Sequence, residues 1–217
     1  MGNIPAFNKL TQGKFMIFIG DVHGKVDKYL RIIEKTERLN HPTVQVGDFG
    51  FGEEWDKLNK SGFCPIRNKI LGGNHEDYTP EGYFSSPYAL NSSGYLEDNG
   101  IFYVRGAYSI DKNRRTEGVD WFAAEELTIE EGYRAIDFYK DVKPLIMCTH
   151  DCPQEVISFV IRNPYTETTP RTRQLLDRLL DIHTPDWWIF GHHHVSRNFC
   201  YRGCNFVCLD ELEVFEL

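Results

Sequence analysis

Five short apolar runs lie along the chain, and each is followed at once by a cluster of Gly, Asp, Asn or His. In chain order the runs and clusters read KFMIFI-GDVHG, PTVQV-GDFG, NKIL-GGNHED, PLIMC-THD and DWWIF-GHHH. Short apolar runs bounded by such residues are typical of buried strands. The pattern therefore predicts five strands, each ending directly in a polar loop.

Helical spacing of apolar residues appears between these runs. Residues 25–39, 128–142 and 169–182 show it, and Thr169 or Thr172 is the expected N-terminal cap of the third segment. Strands that alternate with helices indicate an α/β architecture, in which ligands gather beyond the carboxyl ends of the strands. The five polar clusters are predicted to meet there.

Two further segments have other patterns. Residues 78–98 are rich in Gly, Pro, Ser and Tyr and predict a long surface excursion. Residues 100–110 predict two short strands that meet near Gly106.

The last three cysteines follow one another at steps of four residues, which is compatible with a zinc site. The segment NFCYRGCNFVCLDE contains no CxxC pair, however, and predicts a hairpin that turns at YRG. Cys204 and Cys208 are then expected on one strand face, packed as small apolar residues.

Composition adds limits to this picture. A length of 217 residues predicts one domain, residues 1–217, and no run approaches the roughly 20 apolar residues of a membrane helix. The N-terminal segment shows no secretion signal, so the six cysteines are expected to be reduced thiols in a cytoplasmic protein. A net charge of −8 argues against a broad nucleic-acid-binding surface.

The polar clusters carry a consistent chemistry. They contain two carboxylates, one amide and five imidazoles, namely Asp21, Asp48, Asn74, His23, His75, His150, His192 and His194. This mixture suits Mn, Fe, Zn or Ni, whereas Ca or Mg would favour oxygen ligands alone. One ion would leave several of these residues unused, but two ions about 3.5–4 Å apart that share one carboxylate would use nearly all of them.

The blocks GDVHG, GDFG, GNHED, THD and GHHH, in this order, resemble the five motifs of the calcineurin-like metallophosphoesterases. They run from residue 20 to residue 194. The resemblance implies a four-layer α/β/β/α sandwich with two mixed sheets and a metal site at the carboxyl ends of the strands. It also implies a dinuclear centre, for which Mn is the first choice.

The resemblance assigns a role to each residue. Three residues would hold the first metal: Asp21, His23 and His194. Three would hold the second: Asn74, His150 and His192. Asp48 would bridge the ions, and His75 would donate a proton to the leaving-group oxygen. His193 is expected to point away, because residues i and i+2 of an extended segment share a face while residue i+1 does not.

The chemistry of such a site favours phosphoester hydrolysis. Two divalent cations bring four positive charges and the two aspartates cancel only two, so the site attracts phosphate despite the acidic chain. Water that bridges two metals has a lowered pKa and supplies hydroxide near neutral pH. The predicted activity is hydrolysis of small phosphodiesters or phosphomonoesters, including nucleotides.

Other functions remain open. GDVHG and GNHE resemble the protein Ser/Thr phosphatase branch, but GDFGFGEEW lacks the Asp and Arg that this branch has after its second Gly-Asp. Glu53, Glu54 or Asp77 is left to orient His75 instead. A nuclease acting on DNA or RNA ends is disfavoured by the charge, and a non-catalytic scaffold is disfavoured because all seven metal ligands are present.

Candidate substrate contacts lie in the segment RGAYSIDKNRRTEGVDWFAAEEL, which also resembles small stand-alone bacterial and phage members of the family. A guanidinium group can bind a phosphate through two parallel hydrogen bonds. Arg114 and Arg115 are therefore the predicted substrate-binding residues.

Overall fold

The computed structural model describes residues 15–162 and 169–217. Residues 1–14 lie outside the described part of the chain, and so does the expectation about a secretion signal that concerns them. No helix within the described ranges has the length and apolar character needed to cross a bilayer.

Strands and helices alternate along the described chain. The strands are β1 (Ile17–Ile19), β2 (Thr43–Gln45), β3 (Asn68–Ile70), β4 (Ser93–Leu96), β5 (Ile101–Val104), β6 (Ile146–Thr149), β7 (Trp187–Phe190), β8 (Arg197–Tyr201), β9 (Cys204–Cys208) and β10 (Val214–Glu216). The α-helices are α1 (Val26–Arg38), α2 (Gly52–Asn59), α3 (Ile129–Val142), α4 (Ile157–Val160) and α5 (Arg171–Ile182). All five apolar runs of the sequence are thus strands, as predicted.

These strands form two mixed sheets. The smaller has the order β10-β1-β2-β3, with β10 antiparallel to the three parallel strands. The larger has the order β4-β5-β6-β7-β9-β8, with antiparallel strands at both edges. In the smaller sheet Ile19, Gln45 and Ile70 lie in register, so the loops after β1, β2 and β3 leave from one edge.

Three apolar clusters hold the layers together. The middle cluster packs the smaller sheet against the larger, with Phe18 and Val44 on one side and Ile146 and Ile189 on the other. Helices α1 and α2 cover the outer face of the smaller sheet. Helices α3, α4 and α5 cover the outer face of the larger one. The four-layer α/β/β/α sandwich is confirmed.

The hairpin prediction is confirmed, because β8 and β9 pair antiparallel and both Cys204 and Cys208 are fully buried. The predicted cap of α5 is wrong. Helix α5 follows Pro170, and the Thr172 hydroxyl instead donates a hydrogen bond to the Glu126 carboxylate, 3.0 Å away. The Thr172 side chain thus binds Glu126, which is distant in sequence, instead of capping its own helix.

Two other expectations need correction. The segment 78–98 is not only a surface excursion, since Tyr83 and Tyr88 are buried and its end forms β4. A strand precedes Gly106, but none follows it directly. Gly106 has a φ of 94° and its N–H donates to the Gly72 carbonyl, 2.7 Å away, so the chain turns off the sheet there.

Candidate metal centre

The predicted metal ligands and His75 all lie in loops that follow parallel strands. The loops after β1, β2 and β3 bring Asp21, His23, Asp48, Asn74 and His75 from the smaller sheet. The loops after β6 and β7 bring His150, His192 and His194 from the larger one. The backbone N–H of His192 donates to the Asp21 carboxylate, with N–O distances of 3.0 and 3.2 Å, and so ties the two sheets together.

The first group of ligand atoms comprises those of Asp21, His23, Asp48 and His194, all within 4.8 Å of one another. The Nε2 atoms of His23 and His194 are 2.8 Å apart. The Asp21 Oδ2 atom lies 3.3 Å from the His194 nitrogen and 3.7 Å from that of His23. Two imidazole nitrogens and carboxylate oxygens that face one point can share a single cation.

The second group comprises ligand atoms of Asp48, His150 and His192, again within 4.8 Å of one another. Asn74 completes it, because its Oδ1 lies 3.2 Å from the His150 Nε2 atom. Asp48 thus belongs to both groups. Its Oδ2 lies 3.5 Å from the His23 ring and its Oδ1 lies 3.1 Å from the His150 ring.

Hydrogen positions in the second group indicate a place for a cation. His150 Nδ1 is 2.9 Å from the Val46 carbonyl oxygen, which can only accept, so Nδ1 carries the hydrogen. In the neutral ring, Nε2 is then an acceptor that faces the oxygens of Asp48 and Asn74. Three buried acceptors thus converge, namely His150 Nε2, Asn74 Oδ1 and Asp48 Oδ1. The last also accepts the His75 backbone N–H at 2.7 Å, and a positive charge between the three would be stabilised. The donor set therefore fits a metal ion.

The pKa shifts follow the same electrostatics. Burial alone would lower the pKa of His150, but the carboxylates of Asp48 and Asp21 raise it to about 10, so a proton and a metal cation would compete for the same position at Nε2. Burial also opposes charge on Asp21, yet hydrogen bonds from His194 and His23 hold its pKa below the ordinary value. Burial lowers the pKa of His192 to about 3, which leaves a neutral ring with a free lone pair.

Four of these residues have left-handed backbone conformations that side chains normally avoid. The φ angles are 45° at His23, 57° at Asp48, 67° at His192 and 50° at His194. Such strain persists only where the surroundings impose it, and it concentrates at functional sites. The expectation of an extended GHHH segment is therefore wrong.

His193 points away from both groups, as expected, but for a different reason. Its Nε2 lies 3.0 Å from Asp151 Oδ1, and Arg173 Nε donates to Asp151 Oδ2 over 2.7 Å. Burial opposes ionisation of Asp151, but its interactions with His192, His193 and Arg173 keep its pKa below the ordinary value. The loop that carries His192 is thus anchored to the loop after β6 and to α5.

His75 lies at the edge of the first group, 5.1 Å from His23 between ring centroids. Its expected carboxylate partner is absent among the described residues. Arg115 is its neighbour instead, with the two terminal nitrogens 3.1 and 3.0 Å from the ring nitrogens. Burial lowers the pKa of His75 and the Arg115 charge lowers it further, while Asp48 opposes both.

The three acidic residues proposed to orient His75 are used otherwise or lie elsewhere. Asp77 accepts a hydrogen bond from the Thr79 N–H at 3.1 Å. Glu53 and Glu54 belong to the first turn of α2. The neighbouring Glu76 is buried and accepts the Phe49 N–H at 2.8 Å, which holds the loop after β2 in place.

Arg115 itself is held in a bidentate ion pair. Its Nε and Nη2 atoms both lie 2.9 Å from the Asp111 carboxylate, one to each oxygen. Arg114 is exposed. Of the two predicted substrate contacts, the structure thus places only Arg115 against His75.

Sequence reasoning missed several residues around the site. Asn74 Nδ2 donates to Ser109 Oγ at 3.0 Å, and Ser109 donates to the buried Glu125. Asp151 directly follows the predicted ligand His150 in the motif THD, and this position could have identified it from the sequence. Ser109, Glu125 and Arg173 carried no such signal, because they reach the site only through tertiary contacts.

The chain resembles known proteins in sequence and in fold. A family model described as calcineurin-like phosphoesterase matches residues 16–196. No curated protein matches the sequence.

Solved structures with the same fold were found. A dimetal phosphatase from Danio rerio has 14% identity and a TM-score of 0.56, over 92% of this chain and 88% of that chain. The protein TT1561 of Thermus thermophilus has 7% identity and a TM-score of 0.53, over 93% and 91%. A hypothetical protein from Thermus thermophilus has 13% identity and a TM-score of 0.51, over 91% and 75%. At these identities the likeness shows the fold.

Proposed function

This chain belongs to the calcineurin-like phosphoesterase family, and from that premise we propose that it hydrolyses small phosphoesters, including nucleotides, at a dinuclear metal centre. The observation that carries the proposal is the position of Asp48, whose two oxygens face two separate groups of ligand atoms. A carboxylate so placed is suited to bridge two ions.

The proposed first ion is held by Asp21, His23 and His194 together with Asp48. The proposed second ion is held by Asn74, His150 and His192 together with Asp48. Mixed imidazole and carboxylate donors favour transition metals over Ca or Mg, and Mn is the proposed metal, with Fe, Zn or Ni as alternatives. When bound, two such ions would lower the pKa of coordinated water and offset charge on phosphoryl oxygens.

The protein's own residues supply the remaining functions. The Asp21 and Asp48 carboxylates are at most 1% exposed, so water screens their charges poorly. These two charges set the net charge of the site when metal is bound. Arg115 adds a fixed positive charge beside His75, where a phosphate oxygen can be bound. His75 is proposed to donate a hydrogen to the leaving oxygen.

Small substrates are proposed because the positive charge is confined to the site. The chain has a net charge of −8, which would repel a long nucleic acid away from this centre. The proposed enzyme acts as one domain, residues 1–217, in the cytoplasm.

The proposal is tested by a hydrolysis panel on metal-reconstituted protein. The substrates are p-nitrophenyl phosphate, bis-p-nitrophenyl phosphate, cyclic nucleotides, a phosphopeptide and single-stranded DNA, each with Mn, Ni, Zn and Mg. The Asp48→Asn variant serves as the site variant. Asp56→Asn is its matched control, because Asp56 pairs with Lys60 on the exposed face of α2.

Turnover of the small esters with Mn, lost in Asp48→Asn and kept in Asp56→Asn, is the expected result. Activity confined to the phosphopeptide would instead indicate a protein phosphatase. Activity confined to DNA would indicate a nuclease, and inactivity with every metal and substrate would indicate a binding scaffold.

A further inference from the structure

The amide of Asn74 has one orientation that suits a cation. Its Oδ1 faces His150 and the second ligand group, while its Nδ2 donates to Ser109 Oγ at 3.0 Å. Only the oxygen end of an amide can coordinate a metal, because the nitrogen lone pair is delocalised and its hydrogens point outward. A flipped amide would direct two partly positive hydrogens at the ion.

The Ser109 hydroxyl is itself oriented by a buried carboxylate. Ser109 Oγ donates to Glu125 Oε2 at 2.7 Å, and the Ser109 backbone N–H donates to Glu125 Oε1 at 2.8 Å. Because the hydroxyl hydrogen is committed to Glu125, its lone pairs face Asn74 and can only accept. The exposed fractions are 5% for Asn74, 1% for Ser109 and 2% for Glu125, so water cannot readily take over these contacts.

We propose that Ser109 and Glu125 are positioning residues that fix the Asn74 amide with its oxygen toward the second metal. The inference rests on the proposed function, since it presumes a metal at that group. Neighbours of metal ligands that fix ligand orientation typically change affinity by about 10- to 100-fold when they are removed. The effect should fall on the second ion, because the first group contains neither Asn74 nor a contact with Ser109.

The competing explanation is that the contact between Ser109 and Asn74 only holds residues 105–127 in place beside the site. That segment has other anchors, however. The Gly106 N–H donates to the Gly72 carbonyl at 2.7 Å, and the Arg105 guanidinium donates to the Ala124 carbonyl. Removing one hydroxyl should therefore leave the segment in place, which separates positioning from folding.

The test uses the Ser109→Ala and Ser109→Thr variants of the full chain. Stepwise Mn²⁺ affinities are measured by calorimetry, and the bound Mn²⁺ is followed by electron paramagnetic resonance. Ser86→Ala is the matched control, because Ser86 is also buried and its hydroxyl donates to Asn59 at 2.9 Å, away from the site. Thermal unfolding of each metal-free variant reports any loss of folding.

In the wild type, two bound ions should give the signal of a coupled manganese pair. Ser109→Ala should bind the first ion normally and the second about 10- to 100-fold more weakly, with an isolated Mn²⁺ signal at intermediate metal concentrations. Ser109→Thr keeps a hydroxyl and should restore the second affinity. Ser86→Ala should bind both ions as the wild type does.

The inference is overturned if Ser109→Ala binds both ions with wild-type affinities. It is also overturned if both affinities fall together with the unfolding temperature of the metal-free protein, since that identifies a structural role. Failure of the underlying function is distinguishable, because the wild type itself would then bind fewer than two ions.

Discussion

The Arg115 guanidinium lies directly against the His75 imidazole, with nitrogen–nitrogen distances of 3.1 and 3.0 Å. In a neutral imidazole only one nitrogen can accept a hydrogen bond, so the second contact leaves an arginine N–H free for another acceptor. A phosphate oxygen at this position would take up that donor.

Replacing Arg115 should therefore impair catalysis more than replacing the adjacent Arg114. A hydrogen bond to a charged group is worth about 1.5–3 kcal/mol, so Arg115→Ala should lower kcat/KM by about 10- to 100-fold. Arg114→Ala removes the same charge from an exposed side chain and should leave kcat/KM nearly unchanged. Steady-state kinetics on the preferred substrate compare the two, and equal losses would rule out a specific role for Arg115.

Loss of His75 should separate catalysis from metal binding. His75→Asn removes a side chain that we place at the leaving group but outside both ligand groups. General acid catalysis contributes about 10²- to 10⁴-fold, so kcat should fall by that range while metal content stays at the wild-type value. Metal analysis of the purified variant is the check, and a loss of bound metal would show that His75 is a ligand.

The five strand-loop units could be predicted from the sequence because each is local. A short apolar run fixes the strand, and the residues after it lie at the carboxyl edge of the sheet. The contacts of Arg115 could not be predicted, because it reaches His75 across 40 positions of sequence. Asp77 has the chemistry of the expected partner and lies nearby in sequence, but its carboxylate is used by its own turn.

Close packing around Gly73 gives a steric prediction. A Cβ at this position would collide with Oδ1 and the backbone nitrogen of Asp48 and would lie 2.8 Å from the His150 ring. Gly73 has no positive φ, so the effect of Gly73→Ala is steric alone. The variant should lose metal binding, measured by calorimetry, because the collision displaces the proposed bridging carboxylate.

Gly132→Ala is the matched control for that variant. Its Cβ would make an ordinary contact, 3.8 Å from Leu175, inside α3. A helical Gly→Ala change should raise the free energy of unfolding by about 0.5–1 kcal/mol and leave metal affinity unchanged. Normal metal binding by Gly73→Ala would contradict the placement of Asp48.

The buried pair of Asp151 and Arg173 makes a stability prediction. Breaking a buried ion pair costs about 3–5 kcal/mol, so Asp151→Asn should lower the free energy of unfolding by that amount near neutral pH. Asp137→Asn removes an exposed partner of Lys140 and should have almost no effect. His193→Ala should also destabilise the protein, since the His193 ring contacts Asp151 Oδ1, the carboxylate oxygen that is not paired with Arg173 Nε.

The contribution of Asp151 to the free energy of unfolding should decrease at low pH. The folded pKa of Asp151 lies below its ordinary value of 3.8, so its contribution is fully present above that value. The contribution is lost as pH falls toward the folded pKa. The difference in unfolding free energy between the wild type and Asp151→Asn should therefore shrink below about pH 4, as denaturant titrations can show. A difference that grows on acidification would contradict the ion pair.

Ser109 and Glu125 could not be identified from the sequence. Ser109 contacts the predicted ligand Asn74 and Glu125 contacts Ser109, but the two residues lie 35 and 51 positions from Asn74 along the chain. Only the packing of their segment against the loop after β3 brings them together.

Asp48 is proposed to bridge two metal ions. This bridge can be tested in a crystal that is grown with Mn²⁺ and measured at the manganese absorption edge. We expect two anomalous peaks about 3.5–4 Å apart, each within bonding distance of one Asp48 oxygen. A single peak, or two peaks that do not both contact Asp48, would contradict it.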